Sequence, residues 1–267
     1  MNKNIKPIIF FSLIIFFSFS ACSKYNSVKD FEILILPDTQ TVEITKYTDT
    51  SNEKNESAAQ HTVKIPSHIQ KKPVTNIGEK AFYKNNITHV DLPDTLIEIG
   101  TRAFQENQLT NVIIPDSVEI IGTESFSFNQ LNEITIGDNV TIIERGAFAV
   151  NKLMAVNITD SVTIIDNDAF TDNLLLFVFI GYNVTTIKRF AFANNYLTRI
   201  TFPDSVTEIE GGAFALNEIT DITIGSNVNL VRDTIPVFEL GFDDFYLSNG
   251  LRAGNYVYAD GGWVFAE

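Results

Sequence analysis

The chain of 267 residues is poor in the side chains that most catalytic and metal sites require. It contains one cysteine, three histidines and one tryptophan. One cysteine can form no internal disulfide and cannot supply a zinc site built from several thiolates. Basic residues are also scarce, since 19 lysines and arginines stand against 33 acidic residues, which gives a net charge of -14. So acidic a chain is poorly suited to the phosphate backbone of nucleic acids, which are therefore not expected as partners.

Sequence motifs of enzymes are absent as well. The chain has no nucleophile elbow, phosphate-binding loop, dinucleotide fingerprint or metal-ligand spacing. Asp-Ser pairs at 116–117, 160–161 and 204–205 could suggest hydrolase chemistry, but they recur at one position of a repeat, where a turn explains them. We therefore predict a non-enzymatic protein without a cofactor, a catalytic residue or a bound metal.

The first 21 residues predict a signal peptide. Lys3 and Lys6 precede an apolar run from Ile8 to Phe19. This run has the length of a signal-peptide core and is short for a membrane span. Removing residues 1–21 takes away two lysines and no acidic residue, so the net charge of -14 becomes -16.

The only cysteine, Cys22, directly follows this segment. The small residues before it resemble the lipobox of bacterial lipoproteins, although Phe19 stands where leucine is usual. The resemblance implies a lipidated Cys22 and a tether over residues 22–30. It places the protein in the bacterial cell envelope, at the outer membrane or exposed on the surface, with a lipid as its only membrane contact. The alternative is an ordinary secreted protein in which the cysteine has no role.

Phenylalanine is abundant, with 22 residues, and much of it recurs at a spacing of 22. A small residue precedes phenylalanine in seven copies without an insertion, namely Ala81-Phe82, Ala103-Phe104, Ser125-Phe126, Ala147-Phe148, Ala169-Phe170, Ala191-Phe192 and Ala213-Phe214. An asparagine lies three residues after each phenylalanine, and aliphatic residues follow at five, eight, fourteen and seventeen. Self-similarity at a fixed period of this length is typical of solenoid proteins.

Each copy reads as a short strand, a turn and a return segment. The stretch Leu-x-x-Val-x-Ile places apolar residues on one face of a strand. Pro-Asp-Ser or Gly-x-Asn then turns the chain, and Val-x-x-Ile leads back to Ala-Phe. A single copy cannot bury enough surface, so we expect stacked coils with ladders of valine, isoleucine and phenylalanine. The asparagines should form a further ladder that hydrogen-bonds backbone groups of neighbouring coils.

This pattern resembles the BspA-like, treponemal-type leucine-rich repeats, with units such as LTNVIIPDSVEIIGTESF at residues 109–126. The match covers residues 63 to 231. It implies a β-dominated α/β solenoid, right-handed, with a parallel sheet on the concave face and short irregular or helical segments on the convex face. Members of the family are surface proteins of host-associated bacteria and protists, often described as adhesins. The resemblance therefore implies a protein partner such as a host matrix protein.

Segments of different composition flank the repeats. Strand-like runs over Phe31–Leu36 and Thr41–Tyr47 predict an N-terminal β cap within residues 31–73. The solenoid of seven units is expected over residues 74–235. Turn signals at Asn249-Gly250 and at 260–262 predict a C-terminal β cap over residues 236–267, in which Tyr256, Tyr258 and Trp263 pack on the last coil. Caps are expected because an open end of a parallel sheet invites aggregation.

One copy departs from the repeat at positions that the fold leaves free. Strand residues seven and nine after each phenylalanine should point outward, and most of them are polar or small. In one copy these residues are Phe177 and Phe179, and Tyr182 replaces the usual aspartate. Adjacent exposed aromatics on a rigid sheet are typical of a binding hot spot, so we predict a partner site with Asn157 and Arg199 as its polar rim. The alternatives are that the C-terminal tail or a second copy covers these rings, or that they have no role.

Two classes of function therefore compete. The first is a lipid-anchored protein-binding module used in adhesion to host or matrix proteins. The second is an envelope scaffold or interaction protein without a host partner, since a solenoid serves both purposes. The negative charge favours a basic partner or a basic patch, through steering of the encounter.

Overall fold

The structure is a computed structural model that describes residues 26–48, 61–232 and 235–266. The predicted signal peptide and Cys22 lie outside these residues. Strands and turns make up most of the described chain. None of its helices is both long and apolar enough to span a bilayer.

Five strands form the N-terminal end of the molecule, after a 3-10 turn at Val28–Asp30. They are β1 (Phe31–Leu36), β2 (Thr41–Tyr47), β3 (Thr62–Lys64), β4 (His68–Ile69) and β5 (Lys72–Ile77). The first two have the bounds expected from the sequence and pair in antiparallel fashion. Strand β2 pairs in parallel with β5, which connects this hairpin to the repeats that follow.

Each of the seven coils contributes two strands, which we call the front strand and the back strand. In chain order they are β6 (His89–Asp91), β7 (Glu98–Ile99), β8 (Asn111–Ile113), β9 (Ile120–Ile121), β10 (Glu133–Thr135), β11 (Ile142–Ile143), β12 (Ala155–Asn157), β13 (Ile164–Ile165), β14 (Phe177–Phe179), β15 (Thr186–Ile187), β16 (Arg199–Thr201), β17 (Glu208–Glu210), β18 (Asp221–Ile224) and β19 (Asn229–Val231). Even numbers are front strands and odd numbers are back strands.

The back strands form the continuous sheet of the solenoid. From β5 to β19 each strand of this sheet pairs in parallel with the next. Strands β1, β2 and β4 extend the same sheet to eleven strands. Ile121, Ile143 and Ile165 lie opposite one another in register and are fully buried. The expected solenoid of seven 22-residue turns with a parallel sheet is thus confirmed. Its continuous part, however, lies on the return segment and not on the front strand where the sequence placed it.

The front strands pair two by two, as β8 with β10, β12 with β14 and β16 with β18, and β6 pairs with β3 of the N-terminal end. In two of these pairs, the turn after the second strand lies very close to the turn of the preceding coil. A Cβ atom at Gly137 would lie 2.3 Å from the carbonyl oxygen of Pro115, and one at Gly181 would lie 2.3 Å from that of Thr159. Only glycine permits so close an approach between backbones. These two glycines bring the coils of β10 and β14 close to the preceding coils, whereas Gly225 after β18 makes no such contact. The front of the solenoid consists of two-coil units.

The phenylalanine ladder fills the interior along the whole solenoid. The seven rings are at most 1% exposed, and neighbouring rings are stacked with centroids 4.8 to 5.5 Å apart. Tyr47 of β2 stacks on Phe82 at the N-terminal end, with centroids 5.3 Å apart. At the other end Phe238 stacks on Phe214 at 5.2 Å, so the ladder continues for one ring after the 22-residue period has ended.

The asparagine ladder is confirmed and joins each coil to the previous one. In Asn151, Nδ2 donates to the carbonyl oxygens of Phe126 and Phe148, both at 3.0 Å, and Oδ1 accepts the N–H of Leu131 at 3.0 Å. The same three bonds recur at the other buried members of the row, which are Asn107, Asn129, Asn173, Asn195 and Asn217. One side chain thereby satisfies backbone groups of two tight turns.

Replacing Ser125 by alanine should stabilise the protein by about 1 kcal/mol, because a buried polar atom without a partner costs about 1–3 kcal/mol. Its Oγ is buried and has no hydrogen-bond partner among the described residues, and the six equivalent positions carry alanine. Urea unfolding would measure the gain. Ser127 is the control, since its Oγ donates to the Glu124 carbonyl and accepts from Gln105. A loss of stability in Ser125→Ala would contradict the expectation, whereas Ser127→Ala should lose stability.

A helix and a hairpin form the C-terminal end of the described chain. The helix α1 (Phe242–Ser248) was not expected from the sequence. Strands β20 (Gly254–Ala259) and β21 (Gly262–Ala266) form the expected hairpin, and β20 extends the sheet of β16 and β18 by antiparallel pairing with β18. Tyr256 and Trp263 are buried against Phe242 of the helix, with ring centroids 5.4 and 4.9 Å away.

A buried carboxylate holds the helix against the last ring of the ladder. Asp243 is 2% exposed and accepts the N–H groups of Val237 at 2.8 Å and Phe238 at 3.2 Å. Burial raises the pKa of this carboxyl group, and the two N–H donors partly offset that rise. The bonds fix the segment that carries Phe238 onto the end of the solenoid.

Candidate protein-binding site

The aromatic patch consists of Phe177, Phe179 and Tyr182 on one coil. Their side chains are 63%, 50% and 65% exposed, respectively. Phe177 and Phe179 lie on β14 with Val178 between them, and Val178 packs against the core. The two phenylalanines therefore point outward, as the strand alternation predicted. Tyr182 stands edge-on to Phe179, with ring centroids 5.9 Å apart.

Further apolar side chains widen this surface along and beside the same coil. Leu174 and Leu176 are about two-fifths exposed, and Met154 and Tyr196 on the adjacent coils are more than half exposed. The Leu176 N–H donates to the Met154 carbonyl oxygen at 2.8 Å, which places Leu176 and Met154 side by side. The sequence pattern had not indicated Met154 or Tyr196. Both stand at repeat positions that carry polar residues in most other copies, and this was the signal that could have revealed them.

The rim residues occupy the two neighbouring front strands. Asn157 lies in register with Phe179 across the β12–β14 pair. Arg199 begins β16 and is exposed. The C-terminal hairpin pairs with β18 and leaves the aromatic patch exposed, so the described part of the tail does not cover it.

Two open grooves flank the β12–β14 pair. The first has a volume of about 350 Å³ and is lined by Asp138, Asn157, Ile158, Thr159, Asp160, Ser161 and Phe179. The second has a volume of about 410 Å³ and is lined by Val178, Phe179, Ile180, Tyr182, Thr201, Phe202, Pro203, Asp204 and Ser205. Each lies where neighbouring front strands are not paired, and Phe179 lines both. The two-coil units thus create grooves on either side of the aromatic patch.

The Asp-Ser pairs serve the turns, as expected. Ser117 Oγ donates to the carbonyl oxygen of Leu96 at 2.6 Å, and Ser205 Oγ donates to that of Val184 at 2.7 Å. Asp160 Oδ1 accepts the N–H of Tyr182 at 2.8 Å. These side chains therefore connect successive turns. In the described part of the chain, no three histidine, cysteine, aspartate or glutamate side chains are grouped so that they could hold a metal ion.

The family profile of the BspA-type leucine-rich repeat region matches residues 55–176 and 174–239, with six copies of the repeat. The chain belongs to the BspA-type leucine-rich repeat family. The BspA-type pattern is thus confirmed over most of the described residues. No curated protein matches the chain.

Solved structures of bacterial leucine-rich repeat proteins resemble this BspA-type chain. A leucine-rich cell surface protein from Faecalibacterium prausnitzii is 25% identical, with a TM-score of 0.58 over 92% of this chain and 61% of the other. A leucine-rich repeat protein from Bacteroides ovatus is 18% identical over 76% and 66%, with a TM-score of 0.49. The T. pallidum leucine-rich repeat protein is 22% identical over 75% and 72%, with a TM-score of 0.37. The BspA-type chain spans about three-fifths of the length of the first of these proteins.

Proposed function

We propose that this chain is a non-enzymatic cell-surface module whose protein partner docks on the aromatic patch. The observation that carries the proposal is the exposure of Phe177, Phe179 and Tyr182 on a strand whose equivalents in other coils are mostly polar or small. Large aromatics on a rigid surface lose little conformational freedom when they bind, and they dominate the energetics of many interfaces. Asn157 and Arg199 supply the polar rim that such sites usually have.

The proposal extends to adhesion at the surface of a bacterial cell. Membership of the BspA-type family and similarity to a protein described as a cell surface protein support this location. A lipid on Cys22 would tether the solenoid to the membrane, with the outer membrane as the proposed site. The partner is proposed to be a host or matrix protein that docks on the front strands of the repeats.

The double variant Phe177→Ser with Phe179→Ser should keep the fold and lose at least about thirtyfold in affinity, which equals one hot spot of about 2 kcal/mol. The measurement is surface plasmon resonance against purified matrix proteins such as fibronectin, laminin and collagen. The matched control is Asn111→Ser with Ile113→Ser, which changes the same two positions of β8 and removes the exposed Ile113.

The outcomes separate the two functions. Equal affinity of the double variant and the parent for a bound matrix protein would exclude the aromatic patch as the docking site. No binding of the parent chain to any matrix protein would favour the envelope scaffold without a host partner. Circular dichroism of both variants shows whether the solenoid has been kept.

A further inference from the structure

We infer that the groove between β14 and β16 receives an arginine side chain of the protein partner. This inference rests on the proposed function, because it concerns the same face of the solenoid and adds the chemistry of the partner. The groove has a volume of about 410 Å³, at the lower end of the range of about 300–1,000 Å³ that small-molecule sites have. We call it the arginine groove.

The arginine groove exists because two adjacent front strands are left unpaired. Strand β14 pairs with β12, and β16 pairs with β18. Gly181 follows β14 and lies so close to Thr159 that a Cβ would come within 2.3 Å of its carbonyl oxygen. This contact draws the coil of β14 toward β12 and leaves a gap on the side of β16. The opening is therefore part of the fold and needs no rearrangement to receive a side chain.

The walls and floor of the groove suit an aliphatic stem and a flat cation. Phe179 and Tyr182 stand on one side, with their rings arranged edge to face at 85°. Ile180 and Phe202 are buried and form an apolar floor. A cation near the face of an exposed aromatic ring is attracted to the ring, and the methylene groups of arginine can pack along the floor.

A free carboxylate lies at the turn end of the groove. Asp204 is exposed and has no hydrogen-bond partner among the described residues. The equivalent Asp116 and Asp160 instead accept the N–H groups of Asp138 and Tyr182 in the next coil. Asp204 therefore keeps both carboxylate oxygens available for a ligand, unlike these two equivalents.

The geometry favours arginine over lysine. A guanidinium group is planar, so it can stack on an aromatic ring while it donates two parallel hydrogen bonds to one carboxylate. An ammonium group is a compact and strongly hydrated charge that cannot do both. The acidic charge of the whole chain attracts such a partner from a distance.

The test is a titration of the methyl-labelled chain with the peptide acetyl-Gly-Arg-Gly-amide, followed by NMR of the methyl groups of Val178 and Ile180. Peptides with citrulline or lysine in place of arginine are the matched probes, since citrulline has the shape of arginine without its charge. Asp204→Asn tests the carboxylate. Asp94→Asn is the control, because it removes the same charge at the same repeat position of a coil without the aromatic patch.

We expect saturable shifts of Val178 and Ile180 with the arginine peptide, binding at least threefold weaker with lysine and at least tenfold weaker with citrulline. Asp204→Asn should weaken binding of the arginine peptide at least fivefold, and Asp94→Asn less than twofold. Equal binding of citrulline, shifts spread over the whole solenoid, or equal losses in both aspartate variants would each overturn the inference.

The same variants distinguish this inference from the proposed function. A matrix protein could lose affinity for the double variant Phe177→Ser with Phe179→Ser and keep its affinity for Asp204→Asn. That result would support the docking site and refute the arginine groove. A matrix protein that is insensitive to both would refute the proposed docking site as well.

Discussion

Replacing Phe148 by alanine is expected to lower the free energy of unfolding by about 4 kcal/mol, within the range of about 3–5 kcal/mol for buried phenylalanine. Its ring is fully buried and stacks on Phe126 and Phe170, with centroids 5.5 Å away on each side. The variant leaves a cavity in the middle of a column, and the coils cannot close it without breaking the pairing of the back strands. Urea unfolding followed by circular dichroism measures the loss.

Phe177→Ala is the control for this prediction, because the same side chain is removed from the surface of the same solenoid. It is 63% exposed, so its loss should change stability by no more than about 0.5 kcal/mol. A loss below about 1.5 kcal/mol for Phe148→Ala would mean that the coils relax into the gap and that the ladder is not rigid.

Asn151→Ala should lower the free energy of unfolding by about 3 kcal/mol. The substitution leaves the buried N–H of Leu131 without its acceptor, which costs about 1–3 kcal/mol, and it removes donors to two carbonyl groups at about 1 kcal/mol each. The carbonyls of Phe126 and Phe148 each keep another asparagine donor, from Asn129 and Asn173 respectively. The cost therefore stays below the full sum of the lost bonds.

Asn85→Ala is the matched substitution for Asn151→Ala, since Asn85 opens the same row. It is half-buried, and within the described residues its Nδ2 donates only to the carbonyl of Tyr83. Its loss should cost about 1 kcal/mol or less, the net value of one hydrogen bond. Chemical denaturation of the two variants compares them directly. Equal effects would show that the asparagines act within their own turns and do not join the coils.

Much of the fold follows from the spacing of a few residue types. The period of phenylalanine and asparagine predicted both ladders, and the runs Phe31–Leu36 and Thr41–Tyr47 appear as strands with those bounds. The position of the continuous sheet could not be predicted from this spacing. Its strands are mostly two residues long, too short to show an alternating pattern, and the pairing depends on the distance between coils. The helix that begins at Phe242 was not predicted either, because seven residues are too few to show a clear helical periodicity of apolar residues.

Only part of the candidate site could be predicted from the sequence. Strand alternation placed Phe177 and Phe179 on the outside, and both are exposed. The grooves beside them could not be predicted, because they arise from Gly137 and Gly181, whose close backbone contacts draw coils together in pairs. In the sequence these glycines look like ordinary turn residues, and their effect on the neighbouring gap appears only in three dimensions.

The pairing of front strands at Gly137 and Gly181 also affects how the solenoid can be lengthened by duplication of coils. A duplication of two successive coils would add a complete unit, with a proline or threonine turn followed by a glycine turn. A duplication of one coil would place two turns of the same kind side by side. Two proline or threonine turns would lack the close contact, and two glycine turns would place a glycine against a glycine. Tandem growth by pairs therefore preserves the grooves, and each added pair could carry its own set of outward residues beside them.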